Sequence, residues 1–186
     1  MLAFADESYR ASPPGLFVLA AVTVLPSDDA EALRHALRSV APNTKNPFHW
    51  RHEAEPRRLA MLGVLSAARL VDVTVVATSP MQPRRQERAR GTCVRQLGWE
   101  LNRLGVTRLV LESRGSQDVA DRRVLSGLQQ AGWLPRSFVF THGSKAEPLL
   151  WMADAVAGAV AHDLSTAGAQ YTDLLPDLRL VAVDTS

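Results

Sequence analysis

The sequence predicts an α/β protein whose mixed sheet begins with an N-terminal antiparallel hairpin, continues with parallel strands and is flanked by helices. Short apolar and β-branched runs, typical of buried strands, alternate along most of the chain with longer segments of helical periodicity. Only a turn separates the first two runs, so we expect them to pair as a hairpin. The length suits one core, and we expect residues 1–186 to form a single domain.

The composition excludes several classes of protein. Hydrophobic residues make up 46% and charged residues 22% of the chain, which is ordinary for a globular protein, and a net charge of +2 does not by itself require a nucleic-acid partner. The single cysteine, Cys93, excludes an internal disulfide and indicates a reducing compartment. No apolar stretch is long enough to span a bilayer, and the N-terminus lacks the layout of a signal peptide. We therefore expect a cytoplasmic protein without a membrane segment.

Turn and capping residues divide the first half of the chain into elements. Asp28 and Glu31 fit a capping box, and Pro56 suits the first turn of a helix. Residues 42–53 contain two prolines and several aromatic side chains, and they are interpreted as an ordered loop. The elements expected here are a strand over 1–5, a strand over 16–25, a helix over 28–40, a helix from 56 and a strand over 71–77.

The second half alternates helix and strand. The first helix places Arg84, Arg88 and Arg95 on the face opposite its apolar residues. Such a stripe is usually a solvated helix face, but it is also a candidate nucleic-acid contact, because phosphate contacts dominate nucleic-acid affinity. The expected elements are a helix over 84–104, a strand over 106–111, a helix closed by Gly132, a strand over 137–141, a helix over 148–164 and a strand over 178–183.

Acidic residues end or interrupt several apolar segments. Asp6 and Glu7 end the first strand on opposite faces, so at least one of them stands over whatever packs at its tip. Glu112 ends a strand that we expect beside the first. Asp154 is alone in an apolar helix, where a carboxylate must be neutral, paired or bound to a metal. Carboxylates brought together repel one another, and Mg²⁺ or Mn²⁺, which prefer oxygen ligands, relieve that repulsion.

Several short motifs occur in order along most of the chain, and they are Asp6-Glu7-Ser8, Glu112, Ser144-Lys145, and Ala153-Asp154 with Ala157-Gly158. In their order and spacing these motifs resemble the domain of unknown function 3800 family, which is placed with the RNase H-like folds. The third strand of an RNase H hairpin sheet is not evident after Leu25.

The resemblance implies a catalytic site that holds one or two metal ions. Its metal ligands would be Asp6, Glu112 and Asp154, with Asp6 as the bridging ligand if two ions bind. Lys145 would contact a substrate phosphate or neutralise transition-state charge. Glu7 is a further candidate ligand, although it could instead pair with an arginine. Asp118 and Asp121 are possible helpers, but they lie in the first turn of a helix, where acids are favoured in any case.

These observations predict a divalent-metal-dependent phosphodiester hydrolase, a nuclease acting on RNA or DNA. The alternative is a non-catalytic RNase H-like module that binds nucleic acid or a protein partner, and phosphate-ester chemistry on a small nucleotide is a third possibility. His49 and His52 match no common zinc motif, so their loop is interpreted as a packed lid that could flank the cleft. The oligomeric state stays open, although Trp99 and Trp133 are candidates for a homodimer interface.

Overall fold

A six-stranded mixed sheet lies at the centre of the described residues, and its order is β5-β4-β1-β2-β3-β6. The computed structural model describes residues 1–11, 15–25, 30–42, 47–68, 73–81, 85–175 and 177–184, and only the backbone of 73–81. β1, β2 and β3 pair antiparallel, whereas the other neighbours are parallel. The strands are β1 (Leu2–Arg10), β2 (Gly15–Val24), β3 (Val73–Met81), β4 (Arg108–Glu112), β5 (Val139–Gly143) and β6 (Leu178–Ala182). The predicted fold class is thereby confirmed.

Helices cover both faces of the sheet. One face packs against α1, α2 and α5, and the other packs against α3 and α4. No helix in the described part of the chain is long and apolar enough to cross a membrane. The helices are α1 (Ala30–Val40), α2 (Glu55–Ala67), α3 (Gln86–Arg103), α4 (Asp118–Gln130) and α5 (Pro148–Thr166).

Strand alternation sorts the side chains of β1 between the two cores. Phe4 joins the core under α5, while Ala3 and Ala5 join the core under α3. Every residue of β2 is buried, as its continuous apolar run predicts for a central strand. α5 is apolar on all sides and almost completely buried, so it forms a fixed platform beside β1 and β2.

The third strand of the hairpin sheet is β3, which the sequence did not show to be its continuation. Two helices and their loops separate β3 from β2 along the chain, so no local turn signal could indicate the pairing. β3 also continues beyond the predicted end of its strand and includes Pro80. Within the described residues its pairing with β6 ends at Ala77, and its register with β2 shifts between Phe17 and Gly15. Pro80 therefore lies at an irregularity of the ladder, where proline is tolerated.

Other element boundaries differ as well. β1 runs to Arg10 and pairs with β2 over its whole length, so Asp6 and Glu7 lie within the strand, and the prediction that they end it is wrong. β5 includes His142 and Gly143, which were expected in a loop.

In α2 the buried residues are Met61, Leu62 and Leu65, whereas Leu59 is 40% exposed. The capping box proposed at Asp28 lies outside the described residues.

Gly158 is the point at which the loop before α2 packs on α5. A Cβ atom on Gly158 would overlap the Trp50 ring, so only glycine leaves room for this aromatic side chain. The close approach at Gly158 is made by the Trp50 loop, and Trp50 is buried as a result.

We expect Gly158→Ala to lower the free energy of unfolding by about 2 kcal/mol, because the added methyl group displaces Trp50 from a filled core. Urea denaturation measures the change. Gly63→Ala is the matched control, since Gly63 is an exposed helical glycine with no atom near its Cβ position. That control should gain roughly 0.5–1 kcal/mol from helix propensity. A Gly158→Ala variant as stable as Gly63→Ala would contradict this account.

Candidate metal centre

Three carboxylates from three elements line one cleft beside the middle of β1. Ala5 is the register partner of Leu111 in the parallel pair of β1 and β4, so the following residues, Asp6 and Glu112, lie side by side. α5 packs beside β1 and brings Asp154 to the same place. All three side chains are buried, and they line a cleft of about 530 Å³. Lys145 lines the same cleft, so these four predicted site residues are brought together.

The negative charge of the cluster has its clearest effect on the pKa of Asp6. Burial is the main reason that the pKa of Asp6 lies well above its ordinary value. Neighbouring negative charges raise the pKa of Asp6 further, and they belong to Glu7, Asp154 and Glu112. A cation close to Asp6 would relieve this repulsion.

Lys145 partly offsets the negative charge at Glu112. Its Nζ lies 2.8 Å from Oε1 of Glu112. Burial opposes the ammonium charge, but the hydrogen bond and the charge of Glu112 outweigh it, so the pKa of Lys145 is raised. The Lys145 side chain is 57% exposed, so the ammonium group can also meet a ligand that enters the cleft.

The loop before α2 supplies the partners of Asp154. The backbone N–H of Trp50 donates to Oδ2 of Asp154 at 2.7 Å. The Nδ1 of His49 lies 3.3 Å from Oδ1 of Asp154, and this hydrogen bond is the main reason that the pKa of His49 is raised. Asp154 is therefore a satisfied buried acid as well as a cleft residue.

His49 is a site residue that the sequence reasoning missed. The sequence analysis treated the loop as a packed lid, and Phe48 and Trp50 are indeed buried. Because these two aromatic residues anchor the loop on both sides of His49, they direct the imidazole toward the cleft. An imidazole between two buried aromatic residues was the available signal, but nothing local indicated its contact with Asp154.

Glu7 does not join the other carboxylates. Strand alternation places its side chain on the opposite face of β1, where its Oε2 lies 2.6 Å from Nη1 of Arg90, an ion pair without the alignment of a hydrogen bond. Arg90 also donates two hydrogen bonds to the carboxylate of Asp121, at 2.9 and 2.8 Å. Glu7 thus follows the alternative prediction of an arginine partner, and we leave it out of the proposed ligand set.

Arg90 is a buried ion-pair residue that the sequence reasoning missed. It is 1% exposed although it is charged. The available signal was its position in α3: Arg90 stands three residues before Cys93 and four before Val94, on the same face as the buried residues. A charged residue on a buried helix face requires a partner, and here Glu7 and Asp121 supply it.

The remaining candidates lie away from the cleft. Asp118 accepts hydrogen bonds from the Ser113 hydroxyl and the Arg114 backbone, so it caps the turn before α4. Arg88 and Arg95 are exposed on α3, which packs on the face of the sheet opposite α5. Arg84 lies outside the described residues.

The donor set suits a hard divalent cation. Three carboxylates offer only oxygen ligands, and the raised pKa of Asp6 reflects uncompensated negative charge at the same place. In the present arrangement, no three His, Cys, Asp or Glu side chains of the described residues converge closely enough to hold an ion. The residues therefore fit Mg²⁺ or Mn²⁺ by their chemistry, and ligation requires the carboxylates to turn toward the ion.

The antiparallel β1-β2-β3 sheet, continued by the parallel strands β4 and β5, gives the protein an RNase H-like fold. The chain is similar to RNase HII of Archaeoglobus fulgidus, solved in its complex with PCNA, with 17% identity, a TM-score of 0.54, and coverage of 90% of this chain and 75% of that one. It is also similar to ribonuclease H2 of Pyrococcus horikoshii OT3, with 13% identity, a TM-score of 0.52, and coverage of 96% and 80%. No protein-family model and no curated protein matches the chain.

We expect Arg90→Met to lower the free energy of unfolding by about 3–5 kcal/mol, because it removes the cation nearest to the buried Asp121 and the half-buried Glu7. Arg114 lies no closer than 3.7 Å to either carboxylate. Chemical denaturation measures the loss. Glu87→Gln is the control: Glu87 also pairs with an arginine, Arg114, but it is 52% exposed, so its loss should cost less than about 1 kcal/mol. Equal effects of the two substitutions would show that the buried pair does not stabilise the fold.

We expect Asp6→Asn to raise the stability of the metal-free protein at pH 7 by about 1 kcal/mol, or about 2–4 °C in Tm. An acid whose pKa is raised in the folded state destabilises that state when it ionises. The gain should therefore shrink as the pH falls through about 4 and vanish below about pH 3, where Asp6 is protonated in both states.

Thermal melts in EDTA across this pH range measure the effect. The exposed Asp173 provides the control, because Asp173→Asn should change stability by less than about 0.5 kcal/mol at every pH. Loss of stability in Asp6→Asn at pH 7 would contradict the crowding of negative charge in the cleft.

Proposed function

We propose that the protein is a divalent-metal-dependent phosphodiester hydrolase that acts on nucleic acid. The observation that supports this proposal most directly is the crowding of Asp6, Glu112 and Asp154 in one cleft. Buried carboxylates with unrelieved repulsion are costly to a fold, and such sites are typical of functional centres. The RNase H-like fold and the resemblance to the domain of unknown function 3800 family support the same class of reaction, and the family assignment is part of the proposal.

The metal ligands would be Asp6, Glu112 and Asp154, and the ion would be Mg²⁺ or Mn²⁺. When bound, such ions lower the pKa of a coordinated water and neutralise charge on the scissile phosphate. β1, β4 and α5 are packed together, so the three ligands stand on rigid elements.

Two further side chains would act on the substrate or on a ligand. Lys145 would contact a phosphate oxygen, because its raised pKa keeps the ammonium charged and its exposure lets it reach a ligand. His49 would hold a proton on Nδ1 toward Asp154, which orients that carboxylate. The backbone N–H of Trp50 orients the second oxygen of the same group. His49 is therefore a positioning residue in this proposal.

One observation favours the alternative, a non-catalytic RNase H-like module that binds nucleic acid. The Lys145 ammonium already neutralises Glu112 at 2.8 Å, so part of the acidic cluster is compensated without a metal ion. In this alternative the cleft would keep its shape through the lysine, and binding would not be followed by turnover.

A cleavage assay separates the two proposals. Labelled RNA, DNA and RNA–DNA hybrids, single- and double-stranded, are incubated with the protein in Mg²⁺ or Mn²⁺. We expect wild-type cleavage, and we expect Asp154→Asn to reduce it by at least about a hundredfold, because one ligand of the ion loses its charge. Asp173→Asn, which changes the same residue type at an exposed position outside the cleft, should cleave like wild type.

Folding and metal binding are measured on the same samples. Circular dichroism checks that Asp154→Asn is folded, and calorimetric titration with Mn²⁺ should show binding to wild type that the variant lacks. Cleavage retained in both Asp6→Asn and Asp154→Asn would refute the hydrolase proposal. Saturable nucleic-acid binding without turnover in any divalent cation would favour the non-catalytic module.

A further inference from the structure

The carboxylate cleft has a second wall that consists of arginines. Arg10, Arg51 and Arg58 line the same cleft as Asp6 and Asp154. Arg10 follows Asp6 by four residues on β1, so strand alternation places both side chains on the same face of the sheet. At a rise of about 3.3 Å per residue, their Cα atoms are roughly 13 Å apart. The acidic cluster and the arginines therefore occupy successive positions along one cleft.

Uncharged groups hold two of these arginines in place. Nη2 of Arg51 donates to the backbone carbonyl of Tyr9 at 2.8 Å. Nε of Arg58 donates to the backbone carbonyl of Trp50 at 3.0 Å, and its guanidinium lies 5.1 Å from the centre of the Trp50 ring. These contacts fix the guanidinium groups but do not neutralise them.

The three positive charges are close enough to affect one another. The pKa of Arg10 is lowered, first by burial and then by the charges of Arg51 and Arg58. Within the described part of the chain, none of the three forms an ion pair with an acid. Arg57, next to Arg58 in sequence, pairs with Glu53 at 2.9 Å. Local positive charge is thus left uncompensated only on the side of this helix that faces the cleft.

We propose that Arg10, Arg51 and Arg58 form a phosphate-binding subsite for a nucleic-acid strand, separate from the phosphate at the carboxylates. Guanidinium groups suit this ligand because their fixed N–H donors match phosphate oxygens in pairs. The role of the subsite in positioning the scissile bond rests on the proposed hydrolase function. Its affinity for phosphate does not, because no metal ligand belongs to it.

This location differs from the arginine stripe on α3. Arg88 and Arg95 lie on the helix layer across the sheet from α5, so a strand held at Asp6 and Asp154 would reach Arg10 on the same face of the sheet without crossing to the other layer. The sequence pointed to α3 because its arginines recur within one helix. The cleft arginines come from β1, the loop before α2, and α2 itself, so only packing brings them together.

The phosphate could be either an internal phosphodiester of the strand or a terminal phosphate monoester, which carries up to about two negative charges at pH 7. Competition binding distinguishes these sources. Unlabelled oligonucleotides with a phosphate at the 5′ end, at the 3′ end or at neither end displace a labelled strand, once in EDTA and once in Ca²⁺. Tighter binding of one phosphorylated form identifies a terminal phosphate, and equal binding identifies an internal phosphodiester.

The variants Arg10→Gln, Arg51→Gln and Arg58→Gln test the subsite itself. We expect each to weaken strand binding about tenfold and to reduce the slope of log affinity against log salt by about one, as loss of a phosphate contact does. Arg108→Gln is the matched control, because Arg108 is an exposed arginine at the start of β4, the end of that strand opposite Glu112. Arg108→Gln should change neither the affinity for the strand nor the slope against log salt by more than about twofold, since Arg108 is outside the cleft.

The proposal is overturned if wild type binds no strand in either EDTA or Ca²⁺, or if the three variants behave like Arg108→Gln. This result is distinguishable from failure of the hydrolase proposal. Arginine-dependent binding without cleavage would leave the subsite standing and refute catalysis. Cleavage with an unchanged KM in all three variants would support the hydrolase proposal and refute the subsite. Far-ultraviolet circular dichroism checks that each variant is folded.

Discussion

Negative charge crowded at the middle of β1 and the end of β4 is the constraint on which the rest of the site depends. Parallel pairing puts Asp6 beside Glu112, and α5 adds Asp154 above them. The surrounding residues compensate this charge from different directions. Lys145 forms an ion pair with Glu112. In the loop before α2, the imidazole of His49 and the backbone N–H of Trp50 form hydrogen bonds with Asp154. Asp6 keeps the least compensation, and it is therefore the position where a divalent cation would contribute most.

The side chains on the two faces of β1, around Asp6 and Glu7, are stabilised separately. Asp6 faces the cleft, whereas its neighbour Glu7 faces α3 and forms an ion pair with Arg90. Arg90 also forms an ion pair with Asp121 on α4. This buried network links β1 to both helices behind the sheet. Repulsion between the carboxylates in the cleft can therefore persist, since the ion pairs on the opposite face of β1 hold that strand in place. A site that is destabilising by itself needs such support from the fold.

Gly158 on α5 determines how the loop that lines the cleft is packed. Because Gly158 has no side chain, Trp50 packs directly on α5, and this contact fixes the loop that also carries His49 and Arg51. His49 bonds Asp154 and Arg51 lines the basic wall, so one loop serves both the acidic and the basic parts of the cleft.

The sequence by itself determined the fold class, most of the elements, and Asp6 and Asp154 as candidates, because strand runs, helical periodicity and a lone acid in an apolar helix are local patterns. Glu112 became a candidate ligand through the resemblance of the short motifs to a known family. The tertiary structure alone decided which partner each charge meets. Glu7 pairs with Arg90 across the sheet, His49 bonds Asp154 from a distant loop, and β3 joins β2 over two intervening helices. These contacts join residues far apart in the chain, and periodicity within one element carries no information about which other element packs against it.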